Sequence, residues 1–261
     1  MSTIQTYIPE EKPAKFDFQL FLKQLKSKKA DPVIRYIRSF LTKFNQKLWT
    51  AQEQEKLIND FKDFIIERMT EFEPFSLMNK NDFENSISGV EKLIMTKIYE
   101  QTFSPEIPSS VIDDSHRSDL EIDEVLQSNY KDFSHLGIKD FEVDEAIAAR
   151  GDKFINLAGE ELNKMDQFKS PRAKIICILN SCKILFQLIK RSDQTQNADE
   201  FLPLLIYTVH KTAPIHLYSN LMFIERFAFT RTSEVQYYIV SLNAVVEYIK
   251  NLSSDSSSAD E

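Results

Sequence analysis

Asp199 and Glu200 stand directly before an apolar run, Phe201, Leu202, Leu204, Leu205, Ile206, Tyr207 and Val209, with Pro203 about one turn in. A carboxylate at that point has two uses. It can accept the unpaired N–H groups of a helix's first turn and complement the helix dipole. It can also stand at the rim of a groove between two helices and meet a partner's cation. Further along, Tyr237, Val240, Ser241 and Ala244 recur at i, i+3, i+4 and i+7, so they share one helix face built from an aromatic and small residues. Pro203 reads equally as a helix-start proline, and Tyr237 as a partly buried core tyrosine whose hydroxyl reaches water.

Bond-breaking chemistry has no comparable signal. The chain has no glycine-rich phosphate loop, no GxSxG, no HExxH and no cysteine with a histidine partner. Cys177 and Cys182 lie five residues apart in an apolar run, which suits buried free thiols better than a zinc or redox pair. His116, His135, His210 and His216 lack the one-turn spacing that would set two imidazoles on one metal, and read as ordinary helix and loop residues. The expectation is therefore a binding protein that is not an enzyme and needs no metal or cofactor.

The elements that must position these residues are helices. Only four glycines occur in 261 residues, and 42% of the chain is hydrophobic, enough for a large core. A net charge of -8 argues against nucleic acid and anionic membrane as partners, because phosphate binding needs clustered Lys and Arg. No stretch of about 18 apolar residues appears, and the N-terminus is polar and acidic, so the chain is expected to be soluble and intracellular without a transmembrane segment.

Residues 1–15 read as a flexible lead-in. Helical stripes then follow: Phe16, Phe18, Phe21, Leu22 and Leu25; Val33, Ile34, Ile37, Phe40, Leu41 and Phe44, opened by Asp31 as cap and Pro32 in the first turn; Leu57 to Phe72, opened by a Thr50/Glu53 capping box; and Phe83 to Ile98. They predict a helical bundle over 16–103. Residues 104–125 carry two prolines and seven acidic residues against one basic residue up to position 124, which predicts an acidic linker. A second, all-helical domain is predicted over 126–252, with helices near 144–165, from Ser170-Pro171 onward, from Ser219 as cap through Phe227, and over 234–252. The last has Val235, Tyr238, Ile239, Leu242, Val246 and Ile249 toward the core. Residues 253–261 read as a disordered tail.

DEFLPLLIYTVHKTAP at 199–214, SNLMFIERF at 219–227 and SEVQYYIVSLNAVVEYI at 233–249 resemble the vacuolar-protein-sorting-nine domain. That family comprises guanine nucleotide exchange factors for endosomal Rab-family GTPases. SPRAKIICILNSCK at 170–183 resembles its preceding core helix. FLKQLKSKKADPVIRYIRSFL at 21–41 and EKLIMTKIYEQTFSP at 91–105 resemble the helical bundle that precedes the domain in its animal and fungal endosomal members. The likeness spans about residues 16–250.

The resemblance implies an all-α fold, a bundle packed on an exchange-factor core domain, and GDP release promoted from a Rab-five-like GTPase without bond chemistry. Asp199 matches the family's acidic finger, Pro203 its helix-start proline, and Tyr237 the tyrosine that contacts the GTPase switch region. The GTPase would lie in the groove between helices 199–212 and 234–252. Asn220, Arg226 and Glu234 match positions that are mainly architectural. Val240 and Ser241 stand where the family usually has Thr followed by Asn, and Ser233 where Gly commonly precedes the glutamate. Valine lacks the threonine hydroxyl, so the alternative is a catalytically weak or inactive GTPase-binding scaffold; an unrelated helical adaptor with Asp199 as a mere cap is a third reading. The resemblance further implies a cytoplasmic protein recruited peripherally to endosomes, with ubiquitin as a partner only through regions outside this chain.

Overall fold

The computed structural model of the chain describes residues 16–192 and 198–252, and among them it has ten α-helices and no strand. The expected lead-in and tail lie outside the described residues. Helices α1 (Phe18–Leu25), α2 (Asp31–Phe44), α3 (Ala51–Met69) and α4 (Lys80–Thr102) form the first half. Their stripes turn inward: Phe21, Val33, Ile37, Phe44, Ile58, Ile65, Met69, Val90, Ile94 and Ile98 are buried in one core. The Thr50/Glu53 capping box forms, with Glu53 N–H donating to Thr50 Oγ1 at 3.3 Å and Thr50 N–H to Glu53 Oε2 at 3.0 Å. Asp31 is not a cap. A short 3-10 turn, Lys28–Ala30, runs straight into α2, so Ala30 takes the cap position and Asp31 contributes only charge to the first turn.

The acidic segment 104–125 is not a linker. After a 3-10 turn at Ser104–Glu106, α5 spans Asp114–Asp132, and three of its polar groups, His116, Asp119 and Asp123, are buried. Partners distant in sequence make that burial tolerable, because a buried carboxylate needs an opposite charge or several donors. Asp119 takes a bidentate ion pair from Arg226 at 2.6 and 2.9 Å, plus the Ser104 hydroxyl at 2.6 Å. His116 bridges Ser104 and Gln54 at 2.8 and 3.1 Å, a buried structural role beyond that of an ordinary surface histidine.

Helices α6 (Glu145–Asn163), α7 (Pro171–Arg191), α8 (Phe201–Thr212), α9 (Leu217–Phe227) and α10 (Ser233–Lys250) build the second half. The central α7 packs against α4, α6, α8, α9 and α10. Ser219 does not cap α9, which starts two residues earlier; Asp123 of α5 does so instead, accepting the N–H groups of Tyr218 and Ser219 at 2.8 and 3.2 Å and the Ser219 hydroxyl at 2.6 Å. Burial still pushes the Asp123 carboxyl up to about 6.

The two halves share α9. Its Leu217, Leu221 and Ile224 belong to the second core, while Phe223 and Phe227 complete the first. Polar groups fasten the same junction. Lys174 of α7, fully buried, donates to Tyr99 Oη at 3.1 Å, Met165 O at 2.9 Å and Asn220 Oδ1 at 2.6 Å. Glu91 of α4, also buried, accepts the backbone N–H groups of Arg172 and Phe229 at 2.9 and 2.8 Å. Cys177 and Cys182 are free and buried, in keeping with their apolar setting. Among the described residues no helix is long and apolar enough to cross a membrane, and no group of His, Cys, Asp and Glu could hold a metal ion.

Candidate functional site

Residue 201 is what brings the sequence-predicted residues together. Phe201 is fully buried at the first position of α8, stacked on Phe186 of α7 with ring centroids 4.4 Å apart and planes 6° from parallel. Tyr237 and Tyr238 of α10 lie beside it, at 6.2 and 5.9 Å. Burying a phenylalanine side chain contributes about 2–3 kcal/mol, and aromatic pairing adds about 1 kcal/mol. The start of α8 is thereby pinned to α7 and α10.

Asp199 sits two residues before that anchor, in the 3-10 turn Ala198–Glu200, and is exposed. It does not cap α8. Glu200 holds the cap position in helical conformation and makes no side-chain cap bond, and the Asp199 carboxylate has no hydrogen bond among the described residues. The physical reason is that the 3-10 turn continues into the helix, so residue 199 lacks the extended conformation a capping side chain needs. Pro203 falls in the first turn of α8 and is half-buried, where its missing N–H removes one donor that would lack a partner anyway.

Across from this turn, α10 presents the two faces its sequence separates. Val235, Tyr238, Ile239, Leu242, Val246 and Ile249 are buried in the second core. Tyr237 and Val240 are 48% and 56% exposed, Ala244 is exposed and Ser241 half-buried. Thr232 caps α10 by accepting the Val235 N–H at 3.3 Å, which fixes where the exposed stripe begins. The Ser241 hydroxyl donates to the Tyr237 carbonyl at 2.9 Å, so its proton is engaged within the helix. Burial raises the Tyr238 hydroxyl well above the usual phenol range, with Cys182 and Glu234 beside it.

The edge thus combines an exposed carboxylate, a half-exposed aromatic ring and a small apolar residue on two helices locked to each other. Such a surface can grip an apolar segment and offer a carboxylate to a cation. Two contributors escape a reading of periodicity. Leu202 belongs to a run that looks apolar all round, yet it is 38% exposed in the first turn of α8. Phe186 reads as one more core position, and only its stack on Phe201 marks it as the support of this turn.

Residues 155–254 match the family model of the vacuolar sorting protein 9 (VPS9) domain, and residues 35–99 that of a domain of unknown function, DUF5601. The chain is 37% identical over 241 residues to the vacuolar protein sorting-associated protein vps901 of Schizosaccharomyces pombe, covering 91% of this chain and 42% of that protein. It is 30% identical over 258 residues to the Rab5 GDP/GTP exchange factor of Homo sapiens, covering 97% of this chain and 50% of the relative. Vacuolar protein sorting-associated protein 9A of Oryza sativa subsp. japonica is 28% identical over 248 residues, covering 92% and 49%. The chain spans about half the length of the curated relatives it matches.

Proposed function

The chain belongs, through residues 155–254, to the VPS9-domain family, and on that premise we propose that it is a guanine nucleotide exchange factor for an endosomal, Rab-five-like GTPase. The observation that carries this reading is an exposed Asp199 carboxylate without a hydrogen-bond partner among the described residues, two residues from a buried aromatic anchor. One relative's name, Rab5 GDP/GTP exchange factor, supplies the kind of partner.

A GTPase holds GDP through the lysine of its phosphate-binding loop and a Mg²⁺ ion. Asp199 entering that pocket pairs with the lysine and repels the phosphates and the carboxylates around the metal, at short range and low dielectric. Nucleotide affinity falls. Tyr237, Val240 and the exposed Leu202 meanwhile bury apolar side chains of the switch segments, which stabilises the nucleotide-free GTPase by mass action. Pro203 keeps the first turn of α8 rigid beside them. No bond is made or broken, and no cofactor takes part. The protein acts at endosomes, where such a GTPase resides.

Release of a fluorescent GDP from a panel of endosomal Rab proteins tests this. Wild type accelerates release from at least one of them, and Asp199→Ala removes most of the acceleration while keeping the helical signal. No acceleration of any member rejects the reading.

A second reading has its own observation. Val240 offers no hydroxyl and the Ser241 hydroxyl proton is held by the Tyr237 carbonyl, which favours a scaffold that binds the GTPase and exchanges weakly. It requires a stable complex with unaccelerated release, and Val240→Thr then raises exchange; an unchanged rate counts against it.

A further inference from the structure

At the N-terminal end of α7, more than two turns before Phe186, a cavity of about 280 Å³ opens where the first half meets the second. Lys92 of α4 and Lys169 and Arg172 around the start of α7 line it, and among the described residues no carboxylate does. In a chain with 40 acidic and 32 basic residues that concentration is unusual.

The charges are held by rings. Lys92 Nζ lies 4.6 Å from the centroid of Phe18 and 5.7 Å from that of Phe16, and the Arg172 guanidinium 5.6 Å from Phe16. Neither has an ion pair among the described residues. Among the described residues two carboxylates come near: Glu91, which lies at the first turn of α7 and feels the Arg172 charge, and Glu100. Glu91 accepts two backbone N–H groups, and Glu100 only reaches Lys169, at 4.0 Å.

The second feature is the helix start itself. Ser170 holds the cap position of α7, a 21-residue helix, and lines the cavity while only 4% exposed. A capping serine ordinarily accepts the N–H two or three positions on. Here the side chain makes no cap bond, and its hydroxyl has no hydrogen bond among the described residues. The N–H of Ala173, which also lines the cavity, is likewise without an acceptor among them. A nearly buried hydroxyl and a free first-turn N–H beside three cations are complementary to one compact, multiply charged oxyanion.

We propose that this cavity binds a phosphate group carried by a small molecule or a lipid headgroup. Phosphate fits better than a single carboxylate because its several oxygens match donors of three kinds, amide, hydroxyl and cationic nitrogen. The cavity admits one small headgroup and has no room for a peptide helix about 10 Å across. The site is separate from Asp199 and independent of the exchange reading.

Calorimetric titration of the chain with inorganic phosphate and with inositol 1,4,5-trisphosphate tests it, alongside sedimentation with phosphatidylcholine vesicles carrying or lacking a phosphorylated inositol lipid. Saturable one-to-one binding is expected, weakened about tenfold or more by Arg172→Gln and by Lys92→Gln and a few-fold by Ser170→Ala. Lys183→Gln, an equal loss of charge at an exposed position of the same helix, leaves it unchanged. Binding to soluble phosphates alone identifies a free ligand. Vesicle binding competed by the soluble headgroup identifies a lipid. Absence of saturable binding in both arms overturns the proposal, as does an equal effect of Lys183→Gln. Should Arg172→Gln lower the melting temperature, Lys92→Gln, whose side chain makes no hydrogen bond among the described residues, carries the test.

Discussion

The α8–α10 edge and the junction between the two halves hold the same kinds of residue in opposite states. At the junction, Asp119 has a guanidinium and a hydroxyl, Asp123 three donors, Glu91 two backbone N–H groups, and Lys174 three acceptors. At the edge, Asp199 has none among the described residues, and Tyr237 and Val240 leave about half of their surface in solvent. A carboxylate fully bonded inside the fold can only serve the fold. One on a rigid support without an internal partner is available to another molecule, and that contrast distinguishes the candidate site from the larger polar clusters nearby.

The contrast can be broken most directly at the junction. Asp119→Ala leaves Arg226 buried without its counter-charge and is expected to cost about 3–5 kcal/mol of stability, read as a large drop in the urea midpoint. A loss below about 1 kcal/mol would mean that the buried pair does not fasten the fold.

Lys174 offers the next largest effect, through pH. Burial lowers its ammonium to about 7 in the folded state, against an ordinary value of 10.5. Between those values the folded chain binds fewer protons than the unfolded one, so this contribution to stability grows as pH rises above about 7 and is lost as pH falls to about 7. The slope approaches about 1.4 kcal/mol per pH unit. Urea unfolding at pH 7, 8 and 9 should show the rise in wild type and a flatter profile in Lys174→Met. Parallel profiles would assign the slope to other groups.

At the edge the expected effects move from stability to exchange. Asp199→Ala should change stability by less than about 0.5 kcal/mol, since that carboxylate is exposed and no described residue bonds to it. Accelerated GDP release should fall about a hundredfold, about 2.7 kcal/mol of barrier. A variant that unfolds more easily and exchanges normally would reverse the comparison. The smallest effect is that of Val240→Thr, a near-isosteric change at an exposed position. It should leave the melting temperature within about 1 °C and alter exchange by no more than about threefold, and its sign separates the exchange factor from the scaffold.

How far the sequence could be read follows the range of each interaction. The α10 stripes were legible because helical periodicity sorts buried from exposed faces locally: all six core positions are buried, while Tyr237, Val240 and Ala244 face solvent. The Thr50/Glu53 box was legible for the same reason. Residues 104–125 read as a linker because their charge density suggests solvent, and Arg226, 107 residues from Asp119, is what makes a buried helix there affordable. Whether Asp199 caps α8 was open in the sequence, since both conformations of residue 199 suit an aspartate.

By itself, then, the sequence determined the all-helical class, most helix faces and the set of residues that resemble a GTPase-gripping edge. Only the tertiary structure decided which carboxylates are engaged and which are free. Helix periodicity is written in neighbours three and four positions apart, whereas the partner of a buried charge comes from wherever the packed helices bring one within about 3 Å.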